Sequence, residues 1–140
     1  MVVADGEGVP LAALVASAQE AEVKLAQPVL ERLRVPRKRG RPRRRPKSLV
    51  ADKGYDSKAF RNRLRKRGIR PCIPYRRSKG PRPGRKPDLS GYRQRWLVER
   101  TFAWLGNFRR LVVRWERHAH TYLAFLFIAC LLISLNTILG

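Results

Sequence analysis

Two runs of arginine, lysine, proline and glycine limit what this chain can fold into. They are VPRKRGRPRRRPK at residues 35–47 and RRSKGPRPGRKPDLSG at residues 76–91. Neither run carries an apolar period, and their prolines and glycines break helix and strand alike, so both are expected as solvated loops. Any core must come from the three stretches around them: 1–34, 48–75 and 92–140. A chain of 140 residues is one domain, large enough for a real core. Its formal charge is +22, from 32 Lys+Arg against 10 Asp+Glu. That excess is too large for solubility tuning and implies a polyanionic partner, nucleic acid by default and an anionic membrane surface as the rival. The 35–47 run reads equally as an arm along a phosphate backbone or as a solvated charge block.

The first stretch opens with apolar Met1–Ala4, a turn at Asp5-Gly6-Glu7-Gly8, and a second apolar segment, Val9–Ala16. This predicts a β-hairpin. Asp5 could be a catalytic acid, but next to Gly6 it reads as a turn residue. Ala21, Leu25, Val29, Leu30 and Leu33 have helical spacing, and Pro28 either interrupts that helix or marks its first turn.

In the second stretch, Ser48–Ala51 reads as a strand that ends at Asp52. A basic helix over Lys58–Arg67 follows, with Ala59, Phe60 and Leu64 as its apolar stripe. Asp56 or Ser57 would be its N-cap and Gly68 its C-terminal stop. Ile69–Tyr75 reads as another strand, which its prolines shorten or confine to an edge. Asp52 therefore stands at the C-terminal end of a strand, where functional side chains of α/β architectures gather.

The third stretch opens with YRQRWLVERTFAWLGNFRRLVVRWER at 92–117. At about 100° per residue, Tyr92, Arg95, Glu99, Ala103 and Gly106 share one helical face, flanked by Trp96 and Phe102, with Leu97, Thr101, Leu105 and Phe108 opposite. The pattern predicts a helix wedged into a core with Arg95 and Glu99 aimed inward together. The same spacing also describes an i,i+4 ion pair on a solvated face. The helix either continues through 109–117 or turns near Gly106-Asn107. His118 and His120 lack the i,i+4 spacing of a helical metal pair and read as loop or capping residues. An apolar C-terminal helix is expected over 119–139, uncharged from Tyr122 to Leu139 and at the length threshold of a membrane span. Arg109, Arg110, Arg114 and Arg117 precede it, as in a tail anchor. The amphipathic elements upstream need something to pack against, which favours a core helix buried on nearly all sides. Cys72 and Cys130 are far apart and form no Cys-x-x-Cys pair, so a disulfide framework or zinc ribbon is not expected and a reducing compartment fits. No secretory signal is evident at Met1.

Asp52 and Glu99 stand out against this basic background. Paired carboxylates in a basic channel suit magnesium-dependent phosphoryl transfer on DNA, because Mg²⁺ takes hard oxygen ligands and keeps positions open for phosphate and water. Two such ions about 4 Å apart stabilise the attacking and leaving oxygens of an in-line displacement.

Tyr92-x-x-Arg95-x-x-x-Glu99 within YRQRWLVERTFAWL, followed by FRRLVVRWER, resembles the C-terminal part of bacterial insertion-sequence transposases of the DDE type. LVADKGYDS at 49–57 is similar to the segment that carries their second catalytic aspartate, and VVADGEGVPLA at 2–12 to the hairpin after their first catalytic strand. The resemblance runs essentially end to end. It implies an α/β, partial ribonuclease H-like fold, a mixed sheet with helices, spanning 1–140 with its first catalytic strand missing. It implies a site for Mg²⁺ or Mn²⁺, two ions in the complete enzyme, with Asp52 as second acid and Glu99 as third, both metal ligands. Tyr92, Arg95, Lys53, Arg109 and Arg110 are implied to contact DNA or position the acids. A lysine common seven residues after the glutamate is Gly106 here, with Arg109 or Arg110 as substitute. The first catalytic aspartate and the region that recognises element ends have no counterpart, so the expectation is a truncated copy or the downstream frame of a frameshifted element, inactive alone. The implied partners are DNA, both element ends and target, and the N-terminal part of the transposase or a full-length relative, with homodimerisation on DNA left open. The implied location is the cytoplasm, at the nucleoid, with no membrane. The alternatives are a non-enzymatic basic DNA-binding remnant and a tail-anchored basic membrane protein.

Overall fold

The structure is a computed structural model that describes residues 1–17, 19–76 and 86–140. Most of the second basic run, residues 77–85, lies outside the described residues. Strands β1 (Val2–Ala4) and β2 (Pro10–Ala13) form the expected antiparallel hairpin, shorter at its far end than the apolar pattern suggested. Asp5 is its turn residue: Oδ1 accepts the backbone N–H groups of Glu7 and Val9, both at 2.9 Å. Gly8 follows at φ +82°, a left-handed conformation that only glycine adopts without strain. A Cβ there would come within 3.0 Å of the Arg100 guanidinium, so this glycine also lets the turn seat against the helix carrying Glu99.

Helix α1 spans Glu22–Glu31 with Pro28 inside it, rather than starting at Pro28. Proline removes the N–H that would bond Lys24 O, but Pro28 and Lys24 are both exposed, so water can satisfy that carbonyl. Strand β3 (Ser48–Val50) pairs in parallel with β4 (Arg70–Cys72). The second strand is confined to three residues and holds Pro71 on an edge, where proline's missing donor does least harm. Between them runs α2 (Lys58–Lys66). Ser57, not Asp56, caps it, its Oγ accepting from Phe60 N at 3.5 Å. At the other end Gly68 takes φ +69° while Ile69 N donates to Leu64 O at 2.9 Å, a left-handed stop closed by a six-to-one bond. Ala26, Leu30, Leu33, Phe60, Leu64, Ile69 and Ile73 form the first core cluster under this unit.

Two two-stranded sheets stand in place of one mixed sheet. Among the described residues no backbone ladder joins β1 to β3. A cleft of about 510 Å³ lies between them, with Val3 and Ala4 on one side, Leu49 and Val50 on the other, and Leu97 and Val98 along it.

After a 3-10 turn at Tyr92–Arg95, helix α3 (Trp96–Gly106) crosses the hairpin, and a short α4 (Arg109–Val112) follows the turn at Asn107-Phe108. The long helix α5 (Ala119–Leu139) ends the chain. Val2, Ala13, Leu105, Leu126, Ala129 and Ile133 form a second core cluster. Two expectations fail here. Helix α3 is not wedged in with Arg95 and Glu99 inward: it buries one stripe, Leu97, Thr101 and Leu105, and leaves Trp96 and Phe102 half exposed. The hairpin and α5 cover a single side of it. Half-buried Arg100 lies against Trp96 and Trp104, its guanidinium 4.9 Å and 4.7 Å from their rings. Nor is α5 buried on nearly all sides. Only Leu126, Ala129 and Ile133 are buried, because one layer meets it, while Phe127, Ile128, Leu131, Leu132 and Leu135 face out.

Candidate functional site

Asp52 leaves β3 through Ala51 and caps the 3-10 turn Lys53–Tyr55, its Oδ1 accepting Lys53 N at 2.6 Å. A local turn thus fixes one carboxylate oxygen and leaves Oδ2 outward. Several side chains hold that turn. The Tyr55 hydroxyl donates to Glu22 Oε2 at 3.1 Å, tying the loop to α1. Burial pushes the Tyr55 phenol up, and the Glu22 carboxylate reinforces the shift, so Tyr55 stays a donor. Behind the loop, Arg61 Nε donates to Asp56 Oδ1 at 2.9 Å with both side chains almost wholly buried. Its NH2 donates to Ile73 O at 2.6 Å, and its guanidinium lies 4.6 Å from the centre of the Tyr75 ring. Arg76 completes the brace: its backbone N donates to Asp56 Oδ2 at 2.8 Å and its NH2 to Gly54 O at 2.8 Å.

Glu99 comes from the first turn of α3, on its exposed side. Its helix is placed by the hairpin. Thr101 is wholly buried, its hydroxyl oxygen 2.6 Å from Gly8 O and 2.9 Å from Leu97 O, and Arg100 NH2 donates to Glu7 O. A hydroxyl has one proton, so Thr101 serves one of those carbonyls at a time.

Arg95 joins the two acids. Its NH2 lies 2.9 Å from Glu99 Oε1, the i,i+4 pair that the spacing allowed, and its NH1 lies 4.0 Å from Asp52 Oδ2. The first contact is a close ion pair; the second is electrostatic proximity. Tyr92 contributes its hydroxyl at 3.5 Å from Asp52 Oδ1, and its ring lies under Arg95, 5.8 Å away. Folding thus gathers Asp52, Tyr92, Arg95 and Glu99 at one place, with Lys53 beside Asp52. All three charged groups are substantially exposed, Asp52 at 49%, Glu99 at 59% and Arg95 at 40% of their side chains. In such a setting the pair with Glu99 is worth under about 1 kcal/mol, so Arg95 is free to exchange partners.

Asp52 and Glu99 supply carboxylate oxygens, the donor type a hard divalent cation takes, and the Arg95 guanidinium lies near both. Among the described residues no third His, Cys, Asp or Glu joins them as a ligand cluster. Arg109 and Arg110 lie apart, on α4. Arg110 NH1 pairs with Glu116 Oε1 at 2.8 Å and its guanidinium lies 5.0 Å from the Phe125 ring. His118 immediately precedes α5 and stacks on His120 at 5.3 Å. Cys72 is buried and Cys130 half-buried, both free thiols.

The brace behind Asp52 escaped the sequence reading. Asp56 looked like a cap, and Arg61 and Arg76 were two among many arginines. The local hint is an acid one residue before a cap and an arginine one turn after it; the contacts of Arg76 span twenty residues or more and leave no local trace.

The model of the transposase DDE domain matches residues 1–134. A Burkholderia cepacia protein named, provisionally, as the transposase for insertion sequence element IS402 is 43% identical over 138 residues, which are 98% of this chain. The chain spans 62% of that relative's length. No solved structure matches it. A family match over nearly the whole chain shows that it belongs to the transposase DDE domain family.

Proposed function

We propose that this chain is the C-terminal catalytic portion of a transposase that hydrolyses a phosphodiester at the end of its mobile element and then uses the freed 3′-hydroxyl to attack target DNA. The observation that carries the reading is the convergence of Asp52 and Glu99, from different elements, on the single guanidinium of Arg95. Asp52 and Glu99 would hold Mg²⁺ or Mn²⁺, in a two-ion site once the enzyme is complete. A bound ion would supply charge stabilisation of the attacking and leaving oxygens. Tyr92, Arg95 and Lys53 position the acids or touch the phosphate beside them, and Arg109 and Arg110 contact DNA further along. The architecture proposed is ribonuclease H-like, with a further strand carrying the first acid laid in the cleft between β1 and β3. Among the described residues both strands have an unpaired edge, and Val3, Leu11, Leu49, Val50, Leu97 and Val98 supply the apolar part of a lining that also holds Arg43, Arg45 and Lys47. The site of action is the cytoplasm, at the nucleoid.

Strand cleavage on terminal-repeat DNA with Mg²⁺ tests this reading. A transposase comprising this domain and the upstream strand should cut, and Asp52→Asn or Glu99→Gln should abolish cutting. This chain alone should not cut. Robust cleavage by the chain alone, lost in Glu99→Ala, would refute its incompleteness; unchanged cleavage in both site variants would refute the site.

One observation favours a second reading. Helix α5 has 21 residues, a mean hydropathy of 2.3 in its most apolar window, and 17% of that window buried, which suits a tail anchor. Against it, Leu126, Ala129 and Ile133 pack into the second core, and Ser134, Asn136 and Thr137 dilute the end of the helix. Carbonate-resistant membrane association would favour the anchor; recovery in the soluble fraction would eliminate it.

A further inference from the structure

The arginine-rich run at 35–47 is not an open tail. Val35 N donates to Arg43 O at 2.9 Å and Arg43 N to Val35 O at 2.8 Å, an isolated antiparallel bridge that closes the segment into a loop. Gly40 makes the reversal at φ +85°. Past the bridge, Arg45 NH1 donates to Arg67 O at 3.0 Å, pinning the loop to the C-terminal end of α2, where unpaired carbonyls favour a cation. The result is a concavity of about 860 Å³ lined by Arg37, Arg41, Arg43, Arg44, Arg45 and Lys47. Its other lining residues are Pro42, Pro46 and Gly68, so no carboxylate among the described residues lines it.

Cations gathered this way repel: two unit charges 4 Å apart cost about 1 kcal/mol even in water. Nothing in the lining offsets that repulsion, so an anion from outside would. Five of the six cations are arginines, whose planar forks match phosphate oxygens. Apart from prolines, residues 36–47 contain no apolar side chain. A bilayer surface normally gains affinity from apolar insertion beside its basic residues, so the loop suits a phosphate backbone better than a membrane. The concavity shares lining with the cleft between β1 and β3: Arg43, Arg45 and Lys47 line both, and Arg95 lines the cleft.

We propose that the Arg37–Lys47 concavity is a sequence-independent backbone site for duplex DNA, placed to hold the phosphates that flank the Asp52–Glu99 pair. Its place beside the acids rests on the function proposed above; its DNA binding does not, and is measured without cleavage. The probe is a fluorescent duplex of arbitrary sequence, titrated with the full chain across a series of NaCl concentrations. Arg41→Gln/Arg43→Gln/Arg44→Gln should flatten the slope of log K against log salt by about 0.9 for each phosphate lost, up to about 2.7 for three. A matched triple on the exposed face of α2, Lys58→Gln/Arg65→Gln/Lys66→Gln, removes the same charge and should flatten it by less than half as much. Arg→Lys at the three loop positions keeps the charge and should keep most of the slope, which separates lost contacts from a disturbed fold. Equal flattening by both Gln triples, or none in the loop triple, would overturn the site. So would tighter binding to phosphatidylserine vesicles than to duplex, abolished by the loop triple. Loop-dependent DNA binding with no cleavage in the completed enzyme would leave this site standing while the catalytic reading fell.

Discussion

The two halves of the molecule hold their acids in different ways. Asp52 sits on a turn fixed within its own unit: its own capping bond, the Ser57 cap of α2, the buried Arg61–Asp56 pair behind it, and ties from Tyr55 to Glu22 and from Arg76. Glu99 sits on a helix whose position is set from far along the chain, through Thr101 and Arg100 on the hairpin turn at Glu7-Gly8. The unit beneath Asp52 closes its core around α1, α2 and β4. The one beneath Glu99 rests on a helix that leaves most of its apolar surface open. One half is locked by polar groups inside it, and the other depends on docking.

The largest expected effect lies in the locked half. Arg61→Met keeps much of the side-chain bulk but leaves the buried Asp56 carboxylate without its guanidinium, and Ile73 O without a donor. Removing one partner of a buried pair costs about 3–5 kcal/mol. Urea denaturation should show a loss of that size. If Arg61→Met costs less than 1 kcal/mol, the brace is ornamental and the contrast between the halves disappears.

A smaller effect is expected in the docked half. Thr101→Val preserves shape and burial but removes the hydroxyl that reaches Gly8 O. Leaving a buried carbonyl unpaired costs about 1–3 kcal/mol. Amide exchange should rise in β1, β2 and the turn between them, with the α2 unit unaffected. A uniform rise across both halves would mean that they unfold as one, which would also break the contrast.

These placements explain what could be read from the residues in order. The hairpin, the Ser57 cap, the Gly68 stop and the strand-end position of Asp52 each follow from neighbours within a few positions, and each is present. The Tyr92-x-x-Arg95-x-x-x-Glu99 spacing supplied the ion pair, but not the side of the helix that carries it. Burial of α3 is decided by the hairpin, more than ninety residues away, and by α5, and an apolar pattern on two sides of a helix cannot say that only one of them will be covered. The same limit misled the reading of α5, whose composition shows no face at all. The buried Arg61 was illegible for another reason: in a chain with 32 Lys+Arg, one arginine turned inward looks like the rest.

The smallest expected effect tests the open side of that comparison. Leu131 on α5 is 57% exposed, whereas Ile133, two residues on, is 6% exposed. Exposed positions away from caps and cores usually tolerate substitution within about 0.5 kcal/mol, so Leu131→Gln should leave the melting of the dilute chain almost unchanged. A loss well above that size would mean that Leu131 is covered in solution. Its dependence on protein concentration would then say by what: a loss that grows with concentration points to a second copy, because association stabilises by mass action, and a constant loss points to α5 folding back on its own domain. In either case the second half would be closed by a contact of its own, and Glu99 would be held as firmly as Asp52.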